Sequence, residues 1–120
     1  MKLSQIAQVL QAEILCGKQN LDLDIPYAAA SDMMSDVLVC NDADRLLISG
    51  LCTVHTVLTA QILDLRAIAF VRGKRPTPEI LQTAEENGIT LLSTELSMFQ
   101  ACGELYKQGM KGRARTDGTD

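Results

Sequence analysis

The sequence predicts a single α/β domain with three layers, α/β/α, built around a mostly parallel or mixed sheet. Three apolar runs in the second half, "RLLISG", "RAIAFV" and "ITLLS", have the length of buried strands, and a helical pattern follows each of them. Strands that alternate with helices at short spacing are typical of parallel strands joined by right-handed crossovers. Apolar residues make up 47% of the 120 residues and aromatic residues only 3%, so the predicted core is aliphatic.

The first half of the chain is less regular, which is why a mixed sheet is included in the prediction. A first helix is expected with Ser4 as its N-cap. Its apolar face would consist of Ile6, Val9 and Leu10. "AEILC" then predicts a short strand, "GKQNLDLD" a turn followed by alternating apolar and polar positions, and "DIPYAAAS" a strand that runs into a loop. "SDMMSDVLV" predicts a short helix capped by Ser31 or Asp32.

The helices of the second half are indicated by caps as well as by apolar spacing. The helix after "RLLISG" has apolar residues at helical spacing, namely Val54, Val57, Leu58 and Ile62. In "RGKRPTPEILQTAEENG", Thr77 is the expected N-cap, Pro78 the first helical residue and Gly88 the stop. The final helix is expected to end near Gly109. Its apolar face would consist of Met98, Cys102, Leu105 and Tyr106.

Composition and charge argue against several classes of protein. The net charge of −4 argues against a nucleic-acid binder, because such proteins need a basic surface. Residues 46–63 carry no charge, but polar residues interrupt them, whereas a membrane span needs about twenty mostly apolar residues. The first residues form no signal peptide, so a cytoplasmic protein is predicted. The domain is expected to span 1–110, with 111–120 as a disordered polar tail.

Four cysteines are scattered along the sequence without a C-x-x-C pair: Cys16, Cys40, Cys52 and Cys102. Structural zinc and iron–sulfur sites normally show at least one close pair of ligands, so no metal and no cofactor are predicted. The only histidine, His55, lies three positions after Cys52, which leaves a nucleophile and base pair open as an alternative. The phosphate-binding pattern G-x-x-x-x-G-K-[ST] is absent, and no residue is assigned a catalytic role.

The candidate functional region consists of the four loops that leave predicted strands and enter predicted helices: 31–36, 49–56, 72–77 and 93–97. In such sheets ligands bind outside the carboxyl ends of the strands, and helix N-termini attract anions. The candidate ligand contacts are Ser31, Asp32, Ser49, Thr53, His55, Thr56, Arg72, Gly73, Lys74, Ser93 and Thr94. The alternative is that the hydroxyl residues only cap helices and that the basic turn 72–75 is only solvated.

The order of segments resembles DRTGG-domain proteins from the first helix to about Lys111. The matching stretches are "MKLSQIAQVLQAEIL", "YAAASDMMSDVL", "ISGLCTVHTVLTAQILDLRAIAFVRGKRPTPEILQTAEENGITLLST" and "ELSMFQACGELYKQGM". Two features depart from the family pattern. Residues 27–30, "YAAA", stand where the family usually has Gly-Gly, and the arginine expected after the acid near Asp24 is missing.

This resemblance implies a fold similar to the N-terminal domain of HPr kinase/phosphorylase, without the nucleotide-binding half of that kinase. It also implies a regulatory or ligand-sensing role, commonly as a dimer. In the family, the domain accompanies CBS domains in some pyrophosphatases. Small free-standing members are companions of iron-only hydrogenase systems.

Three functions fit these observations. The first is a non-enzymatic regulatory module that binds a small anion, such as a nucleotide, at the strand ends and acts as a homodimer or through a partner protein. The second is a structural dimerisation scaffold in a redox system of the iron-only hydrogenase type, with no small-molecule ligand. The third is a small enzyme that uses Cys52 and His55.

Overall fold

Five strands form one sheet in the computed structural model, which describes residues 1–38 and 45–112. The strands are β1 (Glu13–Cys16), β2 (Tyr27–Ala30), β3 (Arg45–Ser49), β4 (Ala67–Phe70) and β5 (Thr90–Ser93). Their spatial order is β1-β5-β4-β3-β2, with β2 to β5 parallel and β1 antiparallel to β5. The sheet is therefore mixed and mostly parallel, as predicted, and its antiparallel strand comes from the irregular first half.

Helices cover both faces of this sheet. They are α1 (Leu3–Leu10), α2 (Met34–Leu38), α3 (Val54–Ile62), α4 (Pro78–Glu86) and α5 (Met98–Lys107). On one face α3 packs between α2 and α4, and on the other α1 packs against α5. Helices α2, α3 and α4 share a face because crossovers between neighbouring parallel strands have one hand. The predicted α/β/α layering is confirmed.

The core is aliphatic apart from Phe70 and has two layers separated by the sheet. Successive strand residues point to opposite faces, so Leu47, Ile68 and Leu91 pack under α2, α3 and α4. On the other face Ile48 and Leu92 pack against α1 and α5. Strands β3, β4 and β5 are buried along their whole length, as expected for parallel strands covered on both sides.

The predicted boundaries of α4 and the predicted end of α5 are confirmed. The side chain of Thr77 accepts a hydrogen bond from Ile80 N at 3.3 Å, and Pro78 is the first residue of α4. Gly88 follows this helix with φ of +68°, and Gly109 follows α5 with φ of +100°. Both glycines have the left-handed conformation that commonly ends a helix.

The predicted start of α1 is wrong, because Lys2 rather than Ser4 is the N-cap. The chain from 21 to 23 supplies the missing partners: Leu3 N donates to Leu23 O, and Ser4 N donates to Leu21 O, both at 3.0 Å. These backbone acceptors replace the side-chain cap that sequence patterns rely on. The segment "GKQNLDLD" accordingly forms a short 3₁₀ helix and a turn that lie against the beginning of α1.

Two predicted apolar faces need correction. In α3, Leu58 and Ile62 are exposed to 42% and 68%, whereas its buried residues are Thr56, Val57, Thr59 and Ala60. The Thr56 hydroxyl can be buried because it donates to Leu51 O inside the protein. In α5, Tyr106 is 70% exposed, and the buried residues are Ala101 and Leu105.

The structure describes the first two residues of the predicted tail, 111 and 112. Lys111 O accepts a hydrogen bond from Ala28 N at 3.1 Å, which places this residue along the outer edge of β2. Residues 113–120 and Cys40 lie outside the described residues. Among the helices of residues 1–38 and 45–112, none has both the length and the apolar character that crossing a membrane requires.

Candidate functional site

The four predicted loops meet at one edge of the sheet. Strands β2 to β5 are parallel and neighbours in sequence order, so their carboxyl ends lie side by side. The register pairs Ser49 with Phe70 and Phe70 with Ser93, the last residues of three successive strands. We call this edge the strand-end face, and it includes all of the predicted ligand contacts.

The hydroxyls nearest the sheet are buried and bonded within the protein. We call the residues that carry them the inner layer; they are Ser49, Thr56, Ser93 and Thr94. Thr56 Oγ1 donates to Leu51 O at 2.6 Å, Ser93 Oγ to Lys74 O at 2.8 Å, and Thr94 Oγ1 to Leu10 O at 2.6 Å. These bonds connect α3 and β5 to loops and, through Thr94, the end of β5 to the end of α1.

Asp32 connects two of the loops. Its Oδ1 atom accepts from Gly50 N at 2.6 Å and from Ser49 Oγ at 3.3 Å, and Ser49 Oγ in turn accepts from Leu51 N at 3.1 Å. Ser31 closes the turn before α2, because its Oγ accepts from Met33 N at 3.0 Å. The two residues predicted as alternative caps therefore have different roles, a local turn for Ser31 and a cross-loop acceptor for Asp32.

Arg72 extends from the next loop to the same place. Its Nη2 atom lies 3.8 Å from Asp32 Oδ2, and the two side chains are 55% and 49% exposed. The guanidinium lies so close to Gly50 that a Cβ atom on this glycine would overlap with Nη2. Glycine at position 50 thus makes room for Arg72.

The backbone around Arg72 is unusual. Arg72 has φ of +58° and Gly73 of +69°, two successive residues in the left-handed region. A non-glycine residue costs roughly 1–2 kcal/mol in this region. Arg72 N donates to Leu96 O and Gly73 N to Thr94 O, each at 2.8 Å, so the chain after β5 holds this turn in place.

Besides Asp32, three predicted contacts are exposed. We call Arg72, Lys74 and His55 the outer layer. Thr53 lies between the layers and caps α3, since its Oγ1 accepts from Thr56 N at 3.2 Å. Arg75, from the same basic turn, is paired elsewhere: its two guanidinium nitrogens donate to the Glu13 carboxylate at 3.3 and 2.9 Å.

Sequence reasoning missed Gly50 and Glu95. Gly50 lies directly after a buried strand, and a glycine there is a signal for close approach of another group. Glu95 covers Gly73: a Cβ atom on Gly73 would lie 2.7 Å from the carboxylate. Only the left-handed turn brings these two residues together, and the sequence carries no signal for that contact.

Cys52 and His55 are not arranged as a nucleophile and its base. Among the described residues, no hydrogen bond joins them. Burial raises the pKa of the Cys52 thiol, an effect that the Lys74 cation opposes. A raised pKa lowers the fraction of reactive thiolate. Within residues 1–38 and 45–112, no three His, Cys, Asp or Glu side chains form a group that could hold a metal ion.

Three cavities lie away from the strand-end face. The largest, about 530 Å³, lies between β1 and α4 and includes Leu15, Leu81 and Glu85. A second of about 480 Å³ lies near the N-terminus and the end of α5. A small apolar cavity of about 100 Å³ lies between β2, α5 and the chain around Met110.

The whole fold is similar to that of a known regulatory region. A crystal structure of the CBS and DRTGG domains of the regulatory region of Clostridium perfringens pyrophosphatase matches 87% of this chain with a TM-score of 0.72 and 20% sequence identity. The fold is DRTGG-like. The match covers 45% of the solved chain, which was complexed with its activator, diadenosine tetraphosphate.

The sequence comparisons do not assign the chain to a family. No protein-family model matches the chain, and no curated protein matches it. The DRTGG-like resemblance is thus confirmed at the level of fold. The fold also accounts for the departure at residues 27–30: these residues form β2, and none of them has the positive φ that would call for glycine.

Proposed function

We propose that this protein is a non-enzymatic regulatory domain that binds a small anionic ligand, such as a nucleotide, at the strand-end face. The position of Arg72 carries the proposal. Its half-exposed guanidinium lies over Gly50, in a turn that two backbone hydrogen bonds hold in a strained conformation. Strained backbone that the surrounding structure maintains is characteristic of ligand clamps and switches.

The weak pairing of Arg72 supports an anionic ligand, which would share this face with the carboxylates of Asp32 and Glu95. The ion pair between Arg72 and Asp32 is long, at 3.8 Å, and both partners are about half exposed. Such surface pairs contribute about 0–1 kcal/mol, so a phosphate could replace Asp32 as the partner of Arg72 at little cost. Lys74 lies two residues further along the same loop, and the nine-residue helix α3 begins at Val54 with its partial positive charge.

The burial of the inner layer reduces the number of residues that can contact the ligand. Ser49, Thr56, Ser93 and Thr94 are buried and already bonded. In the proposal they support the site, while Arg72, Lys74, His55 and Thr53 contact the ligand. The solved regulatory region, which contains CBS and DRTGG domains, was bound to diadenosine tetraphosphate, an anion of the proposed class. The proposed module acts as a homodimer or through a partner protein.

A thermal-shift experiment with diadenosine tetraphosphate, ATP, AMP and inorganic phosphate tests ligand binding. A probe at 100 times its dissociation constant stabilises the protein by about 2.7 kcal/mol, or roughly 10 °C for a domain of this size. We expect Arg72→Ala to lose this shift. Arg75→Ala is the matched control, because it removes an exposed arginine from the same turn that is paired with Glu13. Equal shifts in both variants, or no shift with any probe, would reject the proposal.

The scaffold alternative is favoured by exposed aromatic residues on α5. Phe99 is 87% exposed and Tyr106 70%. A scaffold would associate without responding to any anion. The enzyme alternative is opposed by the Cys52 thiol, whose pKa is raised by burial. Labelling with iodoacetamide at pH 7 should be slower at Cys52 in the folded than in the unfolded chain, and faster labelling would revive this alternative.

A further inference from the structure

The outer edge of β2 is only partly paired in the described chain. Lys111 forms a parallel bridge with this edge, in which Ala28 N donates to Lys111 O at 3.1 Å. Backbone groups alternate in direction along a strand, and Ser31 N donates inward to Ile48 O of β3. The N–H and C=O of Ala30 therefore point outward, like those of Ala28. Within residues 1–38 and 45–112, no backbone group bonds to them.

The chain leaves this bridge in the direction that would complete the pairing. Because the bridge is parallel, the residues after Lys111 follow β2 toward the strand-end face. Gly112 already lies beside β2, since a Cβ atom on it would be 3.8 Å from Ala28 O. If the same register continues, Arg115 comes to lie opposite Ser31.

The sequence after the bridge alternates between basic and small residues. Residues 111–115 read "KGRAR", with Gly112 and Ala114 between the basic residues. Strict alternation of this kind predicts a strand with two different faces. Gly112 lies beside Ala28, whose side chain is on the α5 side of the sheet. Continued as a strand, the segment turns Ala114 to the α5 side and its basic residues to the α2 side.

The small apolar cavity offers a place for Ala114 on the α5 side. Its volume is about 100 Å³, and its wall includes Gly112, Ala28, Ala30 and Tyr106. In the continued register Ala114 is opposite Ala30, next to this cavity. Its methyl group would cover apolar surface that is otherwise in contact with water.

On the α2 side, negative charge faces the position of Arg115. The residue after Ser31 is Asp32, whose side chain is 49% exposed. Asp32 Oδ1 accepts from Gly50 N, whereas Oδ2 faces Arg72 Nη2 at 3.8 Å. A carboxylate oxygen accepts more than one hydrogen bond, so Oδ2 has capacity for a second arginine.

We propose that residues 113–115 extend the sheet as a sixth strand, parallel to β2, and that this strand places Arg115 beside Asp32. The N–H groups of residues 113 and 115 donate to Ala28 O and Ala30 O, and Ala30 N donates to the C=O of residue 113. Arg115 neutralises the Asp32 carboxylate, which leaves the positive charge of Arg72 to the anion. The strand is independent of the proposed function, whereas the effect of Arg115 on the anion rests on it.

Amide hydrogen exchange of the full chain, followed by NMR, tests the strand. Ala30 is exposed, so its N–H is protected from exchange only if residue 113 accepts from it. We expect this protection in wild type. Arg113→Pro should speed the exchange of the Ala30 amide by about 10-fold or more, because proline cannot donate to Ala28 O and the pairing is lost.

Two variants serve as controls for Arg113→Pro. Arg113→Ala removes the charge but keeps the N–H, and Thr119→Pro places a proline beyond the proposed strand. Both should leave the exchange of the Ala30 amide unchanged. An unprotected Ala30 amide in wild type, or protection that Arg113→Pro does not reduce, would overturn the proposal.

Calorimetric titration with diadenosine tetraphosphate tests the role of Arg115. Arg115→Ala should raise the dissociation constant by about 5-fold, the upper range for an exposed ion pair. In an Asp32→Asn background the same substitution should have little effect, because the amide carries no charge while its oxygen still accepts from Gly50 N. Lys107→Ala, which removes an exposed lysine from α5, controls for the loss of net charge. Equal effects of Arg115→Ala in both backgrounds would overturn the role of Arg115.

The proposed function and this inference can fail separately. If wild type binds no probe, the proposed function is rejected, while a protected Ala30 amide still supports the added strand. If Arg72→Ala abolishes binding and Arg115→Ala leaves it unchanged, the proposed function stands and the role of Arg115 is overturned.

Discussion

The inner and outer layers of the strand-end face have opposite characters. The inner hydroxyls, Ser49, Thr56, Ser93 and Thr94, are buried and hydrogen bonded within the chain. The outer residues Arg72, Lys74 and His55 are exposed. Buried polar groups must find partners inside a protein, so a hydroxyl-rich edge of a sheet first serves the fold. The inner hydroxyls are therefore already occupied, and in the proposal the ligand contacts come from the outer layer and Thr53.

The inner layer should give the largest effect on stability. Thr94→Val removes the donor to Leu10 O and the acceptor of Leu96 N, at 2.6 and 3.2 Å. Leaving buried partners unpaired costs about 1–3 kcal/mol, so the free energy of unfolding in urea should fall by this amount.

Thr83→Val is the control for that measurement. Thr83 Oγ1 donates to Glu79 O within α4, at the protein surface. A substitution at such a site should change the stability by less than about 0.5 kcal/mol. If Thr94→Val and Thr83→Val lowered the free energy of unfolding equally, the burial of Thr94 would not explain its effect.

Substitutions of Thr53, which lies between the two layers, test whether this residue contacts the ligand or only caps α3. As the N-cap of α3 it accepts from Thr56 N, and Thr53→Ala should lower the free energy of unfolding by about 1 kcal/mol, whereas Thr53→Ser should retain most of the cap. If Thr53 also contacts the ligand, Thr53→Ala should reduce the thermal shift with diadenosine tetraphosphate more than Thr77→Ala does. Thr77 caps α4 with the same geometry. Equal reductions would confine Thr53 to its role as a cap.

Gly50→Ala should separate ligand binding from stability most clearly. The new methyl group meets the guanidinium of Arg72, the mobile end of an exposed side chain, and Gly50 itself has no positive φ. The stability should therefore change by less than about 0.5 kcal/mol. Arg72, however, must leave its place over position 50, so the thermal shift should fall as in Arg72→Ala. An unchanged shift would mean that the ligand does not need Arg72 in this position.

The sequence predicts the α/β/α fold well and the candidate site only in part. Strands β3 to β5 are continuous apolar runs and α4 has clear caps, because these features follow from local periodicity and capping chemistry. The start of α1 was missed since its partners, Leu21 O and Leu23 O, are backbone atoms of another segment. The loops of the strand-end face were found from chain order alone. Which of their hydroxyls are buried depends on tertiary contacts, such as that of Thr94 with Leu10, which no local pattern encodes.

The pair of Arg75 and Glu13 should give the smallest effect, and its pH dependence has a definite sign. The hydrogen bond and the charge of Arg75 lower the pKa of the Glu13 carboxyl below its ordinary value of 4.5. A depressed pKa in the folded state stabilises the protein above the ordinary pKa, and this contribution is lost as the pH falls through the folded value. Wild type should thus be slightly more stable than Arg75→Ala near pH 7, and the difference should disappear in acid.

Urea unfolding of wild type, Arg75→Ala and Glu13→Gln between pH 7 and the acid range measures this difference in stability. Because both partners are exposed, the difference should also shrink in high salt, and a difference that persists in acid would show that Arg75 acts through contacts other than Glu13.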